Sequence, residues 1–278
     1  MSLRLKCYLF AILSLNFIPS AIADTVVNQN IAQQKQANWQ ERPDFGKYFQ
    51  QARVKGSFLL YDLKKNRYLV YNAKRANTGY VPASTFKIFN SLVALETGVV
   101  KDENEVIKWD GVKREIPQWN QDHTMKTAIK VSAVWFYQEL ARRIGEERMQ
   151  NYINLSSYGN RNIGGGIDKF WLTGDLRITP KEQIDFLVKL HNNNLPFSPR
   201  AIALVKNIIT TEKTDNYILR GKTGWEGKVG WYVGYLERDG NTYFFATELD
   251  IAAPKDTKAR IEITRSILKD MGLLPRTS

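Results

Sequence analysis

Ser84 and Lys87 stand three residues apart in Pro82-Ala83-Ser84-Thr85-Phe86-Lys87, at the head of an apolar, helix-like stretch. On a helix, positions i and i+3 share a face, so the hydroxyl and the amine can meet. A serine hydroxyl becomes a useful nucleophile once a base takes its proton, and the N-terminal end of a helix adds partial positive charge for a developing anion. The pair therefore reads as an activated nucleophile. A helix cap is the plain alternative for Ser84. The same Ser-x-x-Lys pattern returns at Ser266-Ile267-Leu268-Lys269, where it reads as surface sequence, so the tetrapeptide alone decides nothing.

Other segments could keep the pair company. Gly221-Lys222-Thr223-Gly224 closes a strand-like run, where glycine leaves the strand open to a ligand while Lys222 and Thr223 can grip an anion. A phosphate loop is excluded, because Asn216 stands where such a loop requires glycine and no helix follows. Between these segments lie Ser132-Ala133-Val134 and Tyr158-Gly159-Asn160, each explicable by itself as a turn or a helix start.

Positioning these residues requires a scaffold, and the hydrophobic periodicity supplies one. Ser57 to Asp62 and Tyr68 to Tyr71 read as paired strands, followed by helical patterns over Thr85 to Thr97, Ala133 to Ile144, Lys181 to Asn192 and Ala201 to Ile209. Strand patterns return at Tyr217 to Lys222, Trp231 to Leu236 and Thr242 to Leu249, the last two joined by the hairpin signal Asp239-Gly240. Thr257 to Met271 reads as a closing helix. This order predicts an α/β (α+β) fold, an antiparallel sheet flanked by helices, with an all-helical lobe inserted over roughly residues 80–210.

Composition narrows the chemistry. The 278 residues include 40 Lys and Arg against 28 Asp and Glu, a net charge of +12, yet the basic residues are scattered among acids and form no nucleic-acid module. One Cys and two His exclude a disulfide framework and a dedicated Cys/His zinc site. His123 and His191 read as structural, so no metal is expected. At the start, Arg4 and Lys6 precede an apolar run that ends at Ala21-Ile22-Ala23, the pattern of a secretory signal peptide spanning 1–23 with cleavage after Ala23. That run falls short of the roughly 20 residues of a membrane span. The expectation is an exported, periplasmic domain over 24–278, without a stable membrane anchor and with a polar arm from Asp24 to about Pro43.

Taken in order, Ser84-Thr85-Phe86-Lys87, Ser132-x-Val134, Tyr158-Gly159-Asn160 and Lys222-Thr223-Gly224 resemble the ordered signature of the class D serine β-lactamases. Lys108-Trp109-Asp110-Gly111, Tyr137-Gln138-Glu139-Leu140-Ala141 and Asp168-Lys169-Phe170-Trp171-Leu172 are similar to family segments too, so the likeness runs over roughly residues 55 to 272. The resemblance implies the fold shared by serine β-lactamases and penicillin-binding transpeptidases, and β-lactam hydrolysis through an acyl-serine intermediate. It implies Ser84 as nucleophile and Lys87 as a general base carrying carbon dioxide as N6-carboxylation, with no other cofactor. Ser132 would relay a proton to the departing nitrogen, with Lys222 holding its hydrogen bond. Trp171 would steady the carbamate, and Phe86, Val134, Trp171 and Leu172 would keep its pocket dry. Thr223, Gly224 and Arg260 would receive the substrate, and the backbone N–H groups of Ser84 and Trp225 would form the oxyanion hole. The partners implied are small β-lactams and not nucleic acid, met by a monomer or homodimer.

A penicillin-binding transpeptidase or carboxypeptidase, or a β-lactam sensor domain that acylates without turnover, would share these motifs and stays open at this level. Two departures from the family pattern stand out. Trp135 occupies a position that is proline in many relatives, and the Trp225 to Val229 connection is short, with its own Gly227.

Overall fold

The computed structural model describes residues 37–276. The expected signal peptide, its cleavage site and most of the polar arm lie outside the described residues. Nine strands, β1 (Asn38–Glu41), β2 (Gly56–Asp62), β3 (Arg67–Tyr71), β4 (Val106–Ile107), β5 (His123–Thr124), β6 (Thr210–Lys213), β7 (Tyr217–Glu226), β8 (Val229–Arg238) and β9 (Asn241–Asp250), are found among them. Seven make one sheet in the order β1-β3-β2-β9-β8-β7-β6. Every pairing in it is antiparallel except β1 with β3, so the expected antiparallel sheet is a mixed one. The end of the polar arm becomes that parallel edge strand because Trp39 stacks on Tyr68 at 4.8 Å and Gln40 accepts a hydrogen bond from Arg67.

Alternation along the strands gives the sheet two buried faces. Phe58, Leu60, Leu236 and Phe245 face α1 (Gly46–Ala52) and the last helix, α9 (Ala259–Asp270), in one cluster with Phe49, Ile263 and Ile267. Leu59, Val233, Tyr235 and Phe244 are buried on the opposite face, where α7 (Pro180–His191) packs over β2, β8 and β9. Pro180 at the first helical position and a reciprocal Thr179–Glu182 capping box start α7 one residue before the expected point.

Between β3 and β6 lies the inserted lobe. Its helices are α2 (Ala73–Ala76), α3 (Lys87–Glu96), α4 (Met125–Val131), α5 (Val134–Ile144), α6 (Glu146–Ser156), α7 and α8 (Pro199–Ile208). The lobe is not wholly helical, since β4 and β5 pair as a small ribbon inside it. Three of its helices were not read from the pattern: α2 is a single four-residue turn. α4 is only seven residues long, and α6 buries a narrow stripe of Met149, Ile153 and Ser156 on an otherwise polar helix. Among the described residues no helix is long and apolar enough to cross a membrane.

Candidate active site

The Ser84 segment is a 3-10 turn, Ala83–Phe86, that runs directly into α3. Neither element has a side-chain cap, so Ser84 is not the capping serine of the plain alternative. Instead its Oγ lies 2.5 Å from Lys87 Nζ, the i to i+3 contact that the spacing predicts. Lys87 is completely buried. Burial first, and the positive charge of Lys222 second, hold its amine well below the ordinary lysine range.

Three fixings keep this turn in place. Gln183 from α7 donates to Thr85 Oγ1 at 2.8 Å, and that hydroxyl donates in turn to the Pro82 carbonyl at 2.7 Å. Trp231 from β8 donates its indole N–H to the Val81 carbonyl at 2.9 Å. The N–H of Ala83, which has a left-handed φ of 50°, donates to the Trp171 carbonyl at 2.9 Å.

Strand β7 passes alongside. A Cβ on Gly224 would meet the Pro82 carbonyl oxygen at 3.1 Å and Thr85 Cγ2 at 3.2 Å, so glycine there lets the strand lie against the Ser84 turn. Lys222 pairs in register with Val233 and sits on the face turned toward the lobe. Burial, then the charge of Arg260, lower its pKa to about 7. Its Nζ donates to the Thr223 carbonyl at 3.0 Å, and no hydrogen bond joins it to Ser132 as the resemblance implied. Arg260, the second residue of α9, donates to the Gly224 carbonyl at 2.9 Å, and burial lowers its pKa to about 10. Among the described residues, none of Lys87, Lys222 and Arg260 has a salt-bridge partner.

A cavity of about 460 Å³ opens beside Lys222 and Thr223, with Ile129 and Lys130 of α4 on its far wall. Ser132 follows that helix turn directly. It has a left-handed φ of 57°, and its Oγ is buried without a hydrogen-bond partner among the described residues. The indole Nε1 of Trp171 is likewise buried and unpartnered. The Trp171 ring stacks on Phe86 with centroids 5.3 Å apart, which makes an apolar wall beside the Ser84 turn. No group of His, Cys, Asp and Glu that could hold a metal occurs among the described residues.

Comparison with known proteins identifies this arrangement. Residues 26–269 match the penicillin binding protein transpeptidase domain. Beta-lactamase OXA-48 of Klebsiella pneumoniae is 45% identical over 241 residues, 85% of this chain and 91% of that protein. Beta-lactamase OXA-5 of Pseudomonas aeruginosa is 43% identical over 95% of this chain and 97% of its own length. The class D β-lactamase YbXI from Nostoc superposes with a TM-score of 0.81 at 52% identity, covering 83% of this chain and 99% of that one. The chain belongs to the class D serine β-lactamases.

The position of each expected site residue in this β-lactamase follows from those contacts. Ser84, Lys87, Trp171, Lys222, Thr223, Gly224 and Arg260 are linked by hydrogen bonds, ring stacking or charge around the Ser84 turn. Val134 opens α5 and Leu172 adjoins Trp171, both half-buried. Trp225 is 44% exposed and folds onto its own hairpin, its indole donating to the Gly227 carbonyl at 3.0 Å. Tyr158 is buried against Phe86, Phe89 and Phe186, and Asn160 bonds the backbone at Asp175 and Arg177, which gives that motif a structural job.

Sequence reasoning missed Tyr137, whose ring lies 5.5 Å from Lys87 Nζ and whose hydroxyl bonds Ser91 at 3.1 Å. Its signal was a place in the family-like segment Tyr137 to Ala141, three residues after Val134 on one helix face. Gln183 and Trp231 were missed as well. Each acts on the turn from a distant element, and no local pattern marks such a contact.

Proposed function

We propose that this class D β-lactamase opens the β-lactam amide by attack of Ser84 and then hydrolyses the acyl-enzyme, with Lys87 as the base. One observation carries the reading: a buried, deprotonation-prone amine lies 2.5 Å from a serine hydroxyl at the start of a helix. A neutral Lys87 can accept the Ser84 proton, which an ordinary lysine with a pKa near ~10.4 would not do at neutral pH. Carbon dioxide bound to Nζ as a carbamate would supply an anionic base suited to both acylation and deacylation. The orphaned Trp171 indole N–H fits such a group, since a buried donor without an acceptor is costly unless something fills the role.

The remaining residues take roles that match their surroundings. Ser132 Oγ, buried and uncommitted, returns the proton to the departing nitrogen. Arg260 and Lys222, which have no salt-bridge partner among the described residues, meet the substrate carboxylate together with Thr223. The backbone N–H groups of Ser84 and Trp225 hold the oxyanion, an interaction worth several kcal/mol, ~3, in comparable sites. Ser84 lies in the first turn of the 3-10 segment, where backbone donors lack acceptors within the helix, and Gly224 lets β7 lie against that turn next to Trp225. The chain is exported, with residues 1–23 as its leader.

Steady-state hydrolysis of a chromogenic cephalosporin tests the reading, with turnover expected. One-to-one acylation without turnover would overturn it in favour of a sensor. Ser84→Ala should abolish hydrolysis and preserve the circular-dichroism spectrum; turnover near wild type would move the nucleophile elsewhere. Carbon-13 bicarbonate should label Lys87, and a fully active, unlabelled enzyme at neutral pH would remove the carbamate from the mechanism.

A further inference from the structure

Trp135, singled out in the sequence as a departure, belongs to a closed ring of contacts around Ser132. The Val131 carbonyl is one of the last in α4 and has no partner within that helix. It accepts the indole N–H of Trp119 at 2.9 Å. Trp119 belongs to a short 3-10 turn, Pro117–Trp119, and its own carbonyl accepts the indole N–H of Trp135 at 2.8 Å. Trp135 is the second residue of α5, three residues past Ser132, and is only 3% exposed. The two indoles thus clamp the backbone on both sides of Ser132, with Trp119 as the bridge.

The clamp has something to hold. Ser132 is a non-glycine residue in the left-handed region, a conformation that surrounding structure must enforce. Among the described residues its Oγ has no hydrogen-bond partner, so where the hydroxyl stands depends on how the backbone is held. The far side of the bridge is anchored too. His123 contacts the Gln118 carbonyl at 2.9 Å and Thr127 Oγ1 at 3.0 Å, while the Arg114 guanidinium lies 5.7 Å from the Trp135 ring centroid.

We propose that Trp135 is a positioning residue for the acylation step, its indole N–H aiming Ser132 through Trp119. This rests on the reading of Ser132 as the proton relay. Because Ser132 serves the departing nitrogen, a loosened clamp should slow ring opening and spare hydrolysis of the acyl-enzyme.

The test is Trp135→Phe, which keeps an aromatic ring and removes the N–H, studied by stopped-flow acylation and by deacylation in excess bicarbonate. Acylation should fall by about tenfold, the effect of losing roughly one neutral hydrogen bond, with deacylation changed by less than about twofold. Trp119→Phe removes the same link and should reproduce this split, which keeps the test available if Trp135→Phe folds poorly. In a Ser132→Ala background, Trp135→Phe should have no further effect on acylation. Equal losses in both steps, or an undiminished effect in the Ser132→Ala background, would assign Trp135 a general packing role and overturn the inference. If Ser132→Ala slows acylation and Trp135→Phe does not, the clamp alone is wrong. If Ser132→Ala acylates normally, the proton-relay reading fails and the inference falls with it.

Discussion

Replacing Lys87 with methionine should stabilise the folded protein by an amount that shrinks as pH rises. Lys87 is fully buried and lacks an acidic partner among the described residues, so burial and Lys222 hold its folded pKa far below the unfolded value of 10.5. Below the folded pKa both states carry the proton and the burial penalty acts in full. Between the folded pKa and 10.5 the unfolded chain holds a proton that the folded chain has shed, so wild-type stability climbs with pH. Above 10.5 both are neutral and the lysine-specific penalty is gone. Methionine, similar in length and apolar, has no such window.

One proton of difference is worth about 1.36 kcal/mol per pH unit. Within the window between the folded pKa and 10.5, the advantage of Lys87→Met should therefore narrow at that rate as pH rises. Urea denaturation in carbon-dioxide-depleted buffer at several pH values measures both proteins. Bicarbonate should then raise wild-type stability by mass action and leave Lys87→Met unmoved. Parallel stability curves, separated by a constant amount, would show that Lys87 keeps an ordinary pKa in the fold and would refute the reasoning.

Three further outcomes are expected. Trp171→Phe keeps the stacking on Phe86 but removes the orphaned N–H, so activity should need about tenfold more bicarbonate for half-saturation; an unchanged bicarbonate dependence would count against the carbamate contact. Gln183→Leu removes the donor to Thr85 and should cost about 1–2 kcal/mol, read as a fall of several degrees in thermal midpoint, together with slower acylation; normal acylation would mean that the turn holds itself. Inserting about four residues after Glu226 lengthens the two-residue turn, Gly227-Lys228, that joins β7 to β8. Oxyimino-cephalosporin turnover should then fall relative to penicillin, and an unchanged ratio of kcat/KM values would sink the idea that the short hairpin keeps the rim open.

What the sequence revealed follows the range of the interactions involved. Ser84 with Lys87 was legible because three residues on a helical turn are local geometry, and Asp239-Gly240 because both residues adopt positive φ, at 51° and 64°, in a tight hairpin. The edge strand β1 was hidden, since its residues are exposed and polar apart from Trp39, and its pairing depends on β3. The Lys222 strand was read as ending at Lys222, yet β7 continues to Glu226, because Gly224 and Gly230 interrupt the side-chain alternation without interrupting the backbone ladder. Trp135 was visible as an oddity. Its purpose was not, because the carbonyl it reaches belongs to a residue sixteen positions away in a loop without periodicity.

Apolar packing at Phe86 ties stability to chemistry. Ala83 and Ser132 occupy left-handed backbone, each at a cost of about 1–3 kcal/mol, so the segments that hold Ser84 and Ser132 are strained. Phe86, between Ser84 and Lys87, contacts the rings of Phe89, Tyr158, Phe170 and Trp171. At about 0.5–1.5 kcal/mol for each aromatic pair beyond simple burial, these four contacts offset strain of the size found at the two positions. That ring cluster is also part of the dry wall that keeps Lys87 from holding its proton. A polar wall could have fixed the turn by hydrogen bonds, but it would have solvated the ammonium and restored an ordinary lysine. An apolar, aromatic support both enforces the strained turn and disfavours the ammonium form of Lys87, which fits a Ser84 turn ringed by aromatic side chains and fixed by polar contacts from Gln183, Trp231 and Trp171 at its edges.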